Sequence, residues 1–190
     1  MELDLTRKIF TVFGLNLSGK SYFVKNAIIP HYRCLVWDPN KEYDLNAADV
    51  YRPKSMAYPA SAYEVEQFLT KIVKPGKGKW DLVIFDEANN SFPVNQPLMP
   101  AMLDFRDRYR HDDWGNLGVG FITRRPAQLF TDFVACSHII FSFGNKGSQD
   151  ISRLNSEASG LGDLVKQLSN HEFVIVNQDR TYAKYPPWGK

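Results

Sequence analysis

Gly14-Leu15-Asn16-Leu17-Ser18-Gly19-Lys20-Ser21 is the stretch on which the fold turns. Before it stands Ile9-Phe10-Thr11-Val12-Phe13, a run of β-branched and aromatic residues that reads as a strand ending at Gly14. After it, residues 19–28 can form a helix that must stop ahead of Pro30. Strand, glycine-bounded turn and helix occur in the order that the pattern G-x-x-x-x-G-K-[ST] requires, and every fixed position is matched. The chemistry of such a turn is anion binding. Glycines let the backbone curl with its N–H groups inward, and the start of the following helix adds positive potential. Lys20 supplies a point charge for the outer phosphates of a bound chain, and Ser21 a hydroxyl for a divalent cation.

Working outward, short apolar runs alternate with helical patterns. Cys34-Leu35-Val36-Trp37 reads as a second strand, closed by Asp38-Pro39-Asn40. Ser61 and Glu64 have the spacing of a capping box, opening a helix whose apolar face is Tyr63, Val65, Phe68, Leu69, Ile72 and Val73 and which ends at Pro75-Gly76. Leu82-Val83-Ile84-Phe85 is continuously apolar, as a strand covered on both faces should be. There follow a helix over residues 100–110, a strand over 118–123, a short helix after Pro126, and a strand over 138–143. Residues 149–154 and 161–168 read as helices. The chain ends in two strand-like runs, 173–176 and 181–185, around Asn177-Gln178-Asp179-Arg180, which predicts a C-terminal hairpin or strand pair. Strands alternating with helices imply an α/β fold, a mostly parallel sheet flanked by helices.

Composition bounds the rest. At 190 residues the chain is expected to be a single domain, residues 1–190, with a core large enough to stand without a disulfide or metal staple. Hydrophobic residues at 44% and charged residues at 23% exclude a disordered or fibrous protein. A net charge of +2 neither requires nor opposes a nucleic-acid partner. Cys34 and Cys136 lack a CxxC partner and fit a reducing compartment. His31, His111, His138 and His171 show no zinc spacing and are expected to be structural. No apolar run approaches the ~18 residues of a membrane span, and Glu2 and Asp4 stand where a signal peptide needs a basic start, so the expectation is a protein that is not secreted.

Asp86-Glu87 closes the strand that ends at Phe85. A carboxylate at the C-terminal end of a parallel strand lies at the same sheet edge as the turn after strand one. Asp86 can hold the hydration shell of Mg²⁺, and Glu87 can act as general base toward an attacking water. The expectation is two adjacent strand tips gripping one Mg²⁺–triphosphate, with Ser21 and Asp86 as its metal-side groups. The following glutamate favours hydrolysis over transfer to a small acceptor, and no arginine-rich lid of a nucleotide or nucleoside kinase is evident.

Three further stretches carry a family resemblance. Leu35-Val36-Trp37-Asp38-Pro39-Asn40-Lys41-Glu42-Tyr43 resembles the second-strand element of the HerA/FtsK superfamily of DNA-pumping ATPases; Arg110-His111 is similar to its Arg-His element; Ile122-Thr123-Arg124-Arg125-Pro126 resembles its fourth-strand ending, where glutamine is usual in place of Arg124. Order and spacing agree over about residues 8–145, and the small size looks most like the genome-packaging ATPases of membrane-containing icosahedral DNA viruses. The resemblance implies a RecA-like (ASCE) P-loop NTPase core that hydrolyses ATP with Mg²⁺ and translocates double-stranded DNA without reading its sequence. Gly14, Asn16, Ser18, Gly19, Lys20, Ser21 and Tyr22 would bind nucleotide, Ser21 and Asp86 the metal, and Glu87 would be the base. Thr123 or Arg124 would sense the γ-phosphate. An arginine would act across subunits of a ring, commonly a hexamer in such enzymes: Arg106, Arg108, Arg110, Arg124 and Arg125 are the candidates and Arg110 the preferred one. For Arg106 and Arg110 the competing reading is an exposed helix face paired with Asp104 and Asp107; for Asp38 it is a simple turn starter against a place at the catalytic edge or subunit interface.

Such a pump would dock on a capsid vertex or a viral membrane protein and reside with the virion or in the host cytoplasm. For contact with DNA the sequence offers Asn89-Asn90-Ser91-Phe92-Pro93-Val94-Asn95, the basic loop Lys74-Pro75-Gly76-Lys77-Gly78-Lys79, and Lys146 with Arg153. The rival functions are a P-loop nucleotide or nucleoside kinase and a nucleotide-switched phage assembly or secretion factor.

Overall fold

The computed structural model describes residues 3–189. Eight strands form one sheet: β1 (Ile9–Phe13), β2 (Cys34–Trp37), β3 (Asp49–Tyr51), β4 (Leu82–Phe85), β5 (Gly118–Thr123), β6 (Ile139–Phe143), β7 (Phe173–Val176) and β8 (Tyr182–Tyr185). Their order across the sheet is β3-β2-β4-β5-β1-β6-β7-β8. The six strands from β3 to β6 run parallel, and β7 and β8 close the sheet antiparallel. The terminal hairpin expected from residues 173–185 is therefore the antiparallel edge of an otherwise parallel sheet.

The helices are α1 (Lys20–Phe23), α2 (Ala60–Phe68), α3 (Pro100–Arg108), α4 (Thr131–Ala135), α5 (Ser148–Glu157) and α6 (Leu161–Lys166). The even helix expected over 19–28 is broken: α1 passes into a π-helical turn, Val24–Ile28, and then a 3₁₀ turn, Ile29–His31, around Pro30. The capping box at Ser61 does not form. Pro59 occupies the cap position, the Ser61 hydroxyl donates to the Asn90 carbonyl at 2.6 Å, and Glu64 accepts from Lys54 N–H, Ser55 N–H and the Tyr51 hydroxyl. Glu64 thus ties helix α2 to the edge strand instead of to its own cap. β3 has no sequence signal: it is three residues long with Val50 as its one aliphatic side chain, and it exists because β2 offers it an edge.

Strand residues alternate between two cores. Ile9 and Phe13, with Val83 and Phe85, face one side; Phe10 and Val12, with Leu82 and Ile84, face the other. The first core is built on aromatics. Phe85 stacks on Phe121 at 5.7 Å and Phe121 on Phe133 at 4.1 Å, with Phe92 edge-on to all three. Burying such rings contributes a few kcal/mol each at ~25 cal/mol per Å². This stack fixes the tips of β4 and β5, and with them the residues that follow.

Candidate nucleotide site

The turn after β1 needs glycine twice. Gly14 has φ +147°, and a Cβ there would lie 2.6 Å from the Cβ of Phe143; Gly19 has φ +105° where the turn enters α1. Between them the loop projects from the sheet edge, leaving Asn16 and Leu17 exposed. Lys20 is buried, and its ammonium donates to the Leu15 carbonyl at 2.9 Å, so the lysine spans its own loop. Burial lowers its pKa, an effect opposed by the charges of Glu87 and Asp86. The Ser18 hydroxyl is buried without a hydrogen-bond partner.

Across the sheet edge, Asp86 and Glu87 leave β4. The two tips are not adjacent as expected: β5 lies between β4 and β1 and brings Thr123 and Arg124 into the gap. The turn after β1, the acidic pair and Arg124 nevertheless converge on one cleft of about 740 Å³. Asn16, Gly19, Lys20, Ser21 and Tyr22 line it from one side, Asp86, Glu87 and Arg124 from the other. Glu87 takes a left-handed backbone conformation, φ 47°, its N–H donating to Asp86 Oδ1 at 2.9 Å. A non-glycine residue held there carries strain of about 1–3 kcal/mol, which here turns the side chain into the cleft. Arg124 Nε stands 3.3 Å from Glu87 Oε2. Asp86 is buried, and desolvation, reinforced by the charges of Glu87, Glu42 and Asp38, pushes its pKa up to about 7 against the opposing Glu87 N–H. Negative charge is in excess at this spot, as a site for a hard cation would be.

Asp38 organises the turn that follows β2. Its fully buried carboxylate accepts the Glu42 N–H at 2.9 Å and the Tyr43 N–H at 3.1 Å. The loop it folds presents Asn40 and Glu42 to the cleft. Met56 and His171 also line the wall. No motif announced either one, and His171, expected to be purely structural, enters from the turn before β7.

Other expected residues lie elsewhere. Thr123 is buried off the cleft wall, its hydroxyl donating to Asn89 Oδ1 at 2.6 Å, so it ties β5 to the turn after Glu87. Arg125 binds Asp150 at 3.2 Å; Arg106 pairs with Asp107 and Asp132; Arg108 pairs with Asp104 and Asp113. Arg110 is exposed at the end of α3, beside the start of β5, where the Leu117 N–H donates to the Tyr109 carbonyl. The cleft is at the other end of that strand, roughly 17 Å away at ~3.3 Å per residue. Within one chain, Arg124 is therefore the arginine of the cleft.

The candidate DNA loops are also more tied down than their composition suggests. In residues 89–95, Phe92 is buried in the aromatic core and the Val94 N–H donates to the Gln128 carbonyl, leaving Asn95–Pro97 as the exposed part. In the basic loop, Lys74 pairs with Asp104 and Lys79 with Asp49, at the sheet edge away from the cleft. Arg153 pairs with Glu157, whereas Lys146 is exposed.

No protein-family model matches the sequence, and no curated protein sequence matches it. Solved structures do match in fold. The genome packaging NTPase B204 from Sulfolobus turreted icosahedral virus 2, in complex with AMPPCP, superposes with a TM-score of 0.81 at 20% identity, over 96% of this chain and 98% of that one. The DNA-packaging ATPase B204 from Sulfolobus turreted icosahedral virus gives 0.79 at 20%, over 97% and 99%. The N-terminal domain of zonular occludens toxin from Neisseria meningitidis gives 0.53 at 11%, over 97% and 96%. The chain has the P-loop NTPase fold of these proteins, a mostly parallel sheet flanked by helices.

Proposed function

We propose that this chain is a Mg²⁺-dependent ATPase that moves double-stranded DNA into a preformed viral capsid, working as a ring of copies at a capsid vertex or on a viral membrane protein. The observation that carries the reading is the single cleft in which Lys20 and Ser21 face Asp86, Glu87 and Arg124. Fold likeness to packaging NTPases, one of them bound to AMPPCP, supports it. Among the described residues no helix is long and apolar enough to cross a membrane.

The donors suit magnesium. A hydroxyl and a buried carboxylate are hard oxygen ligands, and Mg²⁺ commonly uses one or two protein oxygens beside substrate phosphates. Among the described residues no group of three or more His, Cys, Asp or Glu is placed to hold a metal alone, which fits an ion that arrives with the nucleotide. When bound it would neutralise charge developing on the phosphate oxygens. Ser21 would hold it directly and Asp86 through its water. Lys20 would exchange the Leu15 carbonyl for the outer phosphates. Glu87 would accept the proton of the attacking water, and Arg124, which now sits against Glu87, would turn to the γ-phosphate and leave the carboxylate free. Arg110, remote from its own cleft and exposed, remains the residue proposed to reach a neighbouring copy. Contact with DNA would be to phosphates alone, through exposed groups such as Lys146 and the Asn95–Pro97 tip.

Steady-state ATPase turnover, with and without duplex DNA, tests the function. DNA-stimulated turnover that Lys20→Ala abolishes is expected. Transfer of phosphate to a small acceptor without a DNA effect would instead identify a kinase. Slow hydrolysis indifferent to DNA would identify a nucleotide-switched assembly factor.

A further inference from the structure

The cleft does not end at the phosphate turn. A second hollow of about 410 Å³ adjoins it, and Gly19, Tyr22 and His171 line both. Its other walls are apolar: Phe23, Phe143, Pro187 and Trp188. Trp188 is half-buried, edge-on to Phe23 at 5.5 Å, and Phe23 in turn meets Phe143 at 5.8 Å. The strap carrying Trp188 leaves β8 through Pro186-Pro187 and comes back over α1, where a Cβ on Gly189 would lie 3.9 Å from the Tyr22 hydroxyl. Two consecutive prolines keep such a strap extended and stiff. Tyr22 is nevertheless 59% exposed where it borders the hollow.

Direction follows from the chemistry at the two ends. Glu87 and Arg124, the groups suited to the γ-phosphate, stand at one end of the phosphate cleft; His171, Tyr22 and Gly19 form the passage at the other. A triphosphate whose terminal phosphorus faces Glu87 must send its nucleoside toward Trp188. We propose that this hollow seats the nucleobase, and that it grips a purine by its faces without reading its edges, so that ATP and GTP are both accepted. The proposal rests on the nucleotide reading of the cleft and deepens it. Adenine and guanine differ in the hydrogen bonds at their edges, an amino donor against a carbonyl acceptor. A site that separates them needs buried polar groups left unpaired by the wrong base, and such groups give discrimination of about 10⁴–10⁵. Among the described residues the polar side chains on the wall are the Tyr22 hydroxyl and the His171 imidazole, both on exposed residues, with no carboxylate or amide side chain beside them. What the side chains of this wall offer is stacking, which is insensitive to base identity and is worth roughly a 5- to 150-fold change in affinity per base.

Equilibrium competition against a fluorescent ATP analogue, in the presence of Mg²⁺, tests this with ATP, GTP and inorganic tripolyphosphate as competitors. ATP and GTP are expected to bind within about tenfold of each other, and both at least fivefold tighter than tripolyphosphate. Trp188→Ala should reduce the nucleotide-to-tripolyphosphate affinity ratio at least fivefold, and Trp188→Phe should restore most of it. Because the ratio is taken within one variant, general damage to the fold cancels. A preference of more than tenfold for either purine would overturn the edge-blind grip. A ratio unmoved by Trp188→Ala would overturn the seat itself. Failure of tripolyphosphate to bind the unmodified chain, or binding indifferent to Lys20→Ala, would instead overturn the phosphate site beneath both.

Discussion

Asp38 is not a residue that would touch nucleotide, yet the structure makes the cleft depend on it. Its carboxylate has no exposure to solvent and accepts two backbone N–H groups, from Glu42 and Tyr43. Asp38→Ala leaves both donors without that acceptor. A hydrogen bond to a charged group contributes about 1.5–3 kcal/mol, so two amount to about 3–6 kcal/mol. Against that stands relief: a buried carboxylate is removed, together with its repulsion of Asp86. The net loss expected is about 2–4 kcal/mol, a large part of the 5–15 kcal/mol that holds a domain of this size. Asp38→Asn keeps one acceptor oxygen and should lose about half as much. Urea unfolding of the three proteins reads this as a shift in midpoint at constant slope. Because Asn40 and Glu42 ride on the same loop, Mg²⁺–nucleotide affinity should fall in the same order. A loss below 1 kcal/mol in Asp38→Ala, or Asn behaving no better than Ala, would refute the role given to the two hydrogen bonds.

Glu87→Gln keeps the shape and removes the base, so turnover should fall about 10²–10⁴-fold while nucleotide still binds. Stability should move by less than about 1 kcal/mol, since its ion-pair partner Arg124 is close to half exposed; single-turnover hydrolysis with binding checks the first expectation and thermal unfolding the second. Gly120→Ala places a Cβ 2.3 Å from the Phe10 ring inside the sheet. Overpacking of that kind should cost about 1–3 kcal/mol, read by thermal unfolding, with nucleotide affinity unchanged below the transition.

The local chain rules made the core of this fold legible. The glycine-bounded turn between an apolar run and a helix, and a four-residue apolar strand ending in Asp86-Glu87, mark the cradle and the acidic pair in the sequence itself. The hairpin edge was read from its turn residues. What sequence could not supply was lateral order. Nothing in residues 9–13 or 82–85 says that β5 threads between them, because strand order is decided by crossovers and by which aromatic faces stack. β3 escaped for a related reason, since a three-residue edge strand is stabilised by its neighbour more than by its own pattern. Ser61 and Glu64 matched a local capping rule, but tertiary partners, Asn90 for one and the 54–55 backbone for the other, outbid it. His171 and Met56 reach the cleft from loops whose residues carry no periodicity, and for Arg110 a helix period gives the face it occupies but not its distance from the cleft of its own chain.

A structure of the protein with Mg²⁺ and a non-hydrolysable ATP analogue bears most directly on the account. The γ-phosphate should lie between Lys20 Nζ and the Glu87 carboxylate. The ion should be bound by the Ser21 hydroxyl, with Asp86 no more than one water away. Phosphates found outside the turn of residues 14–21, or Ser21 and Asp86 too far apart to share a hydrated cation, would contradict it.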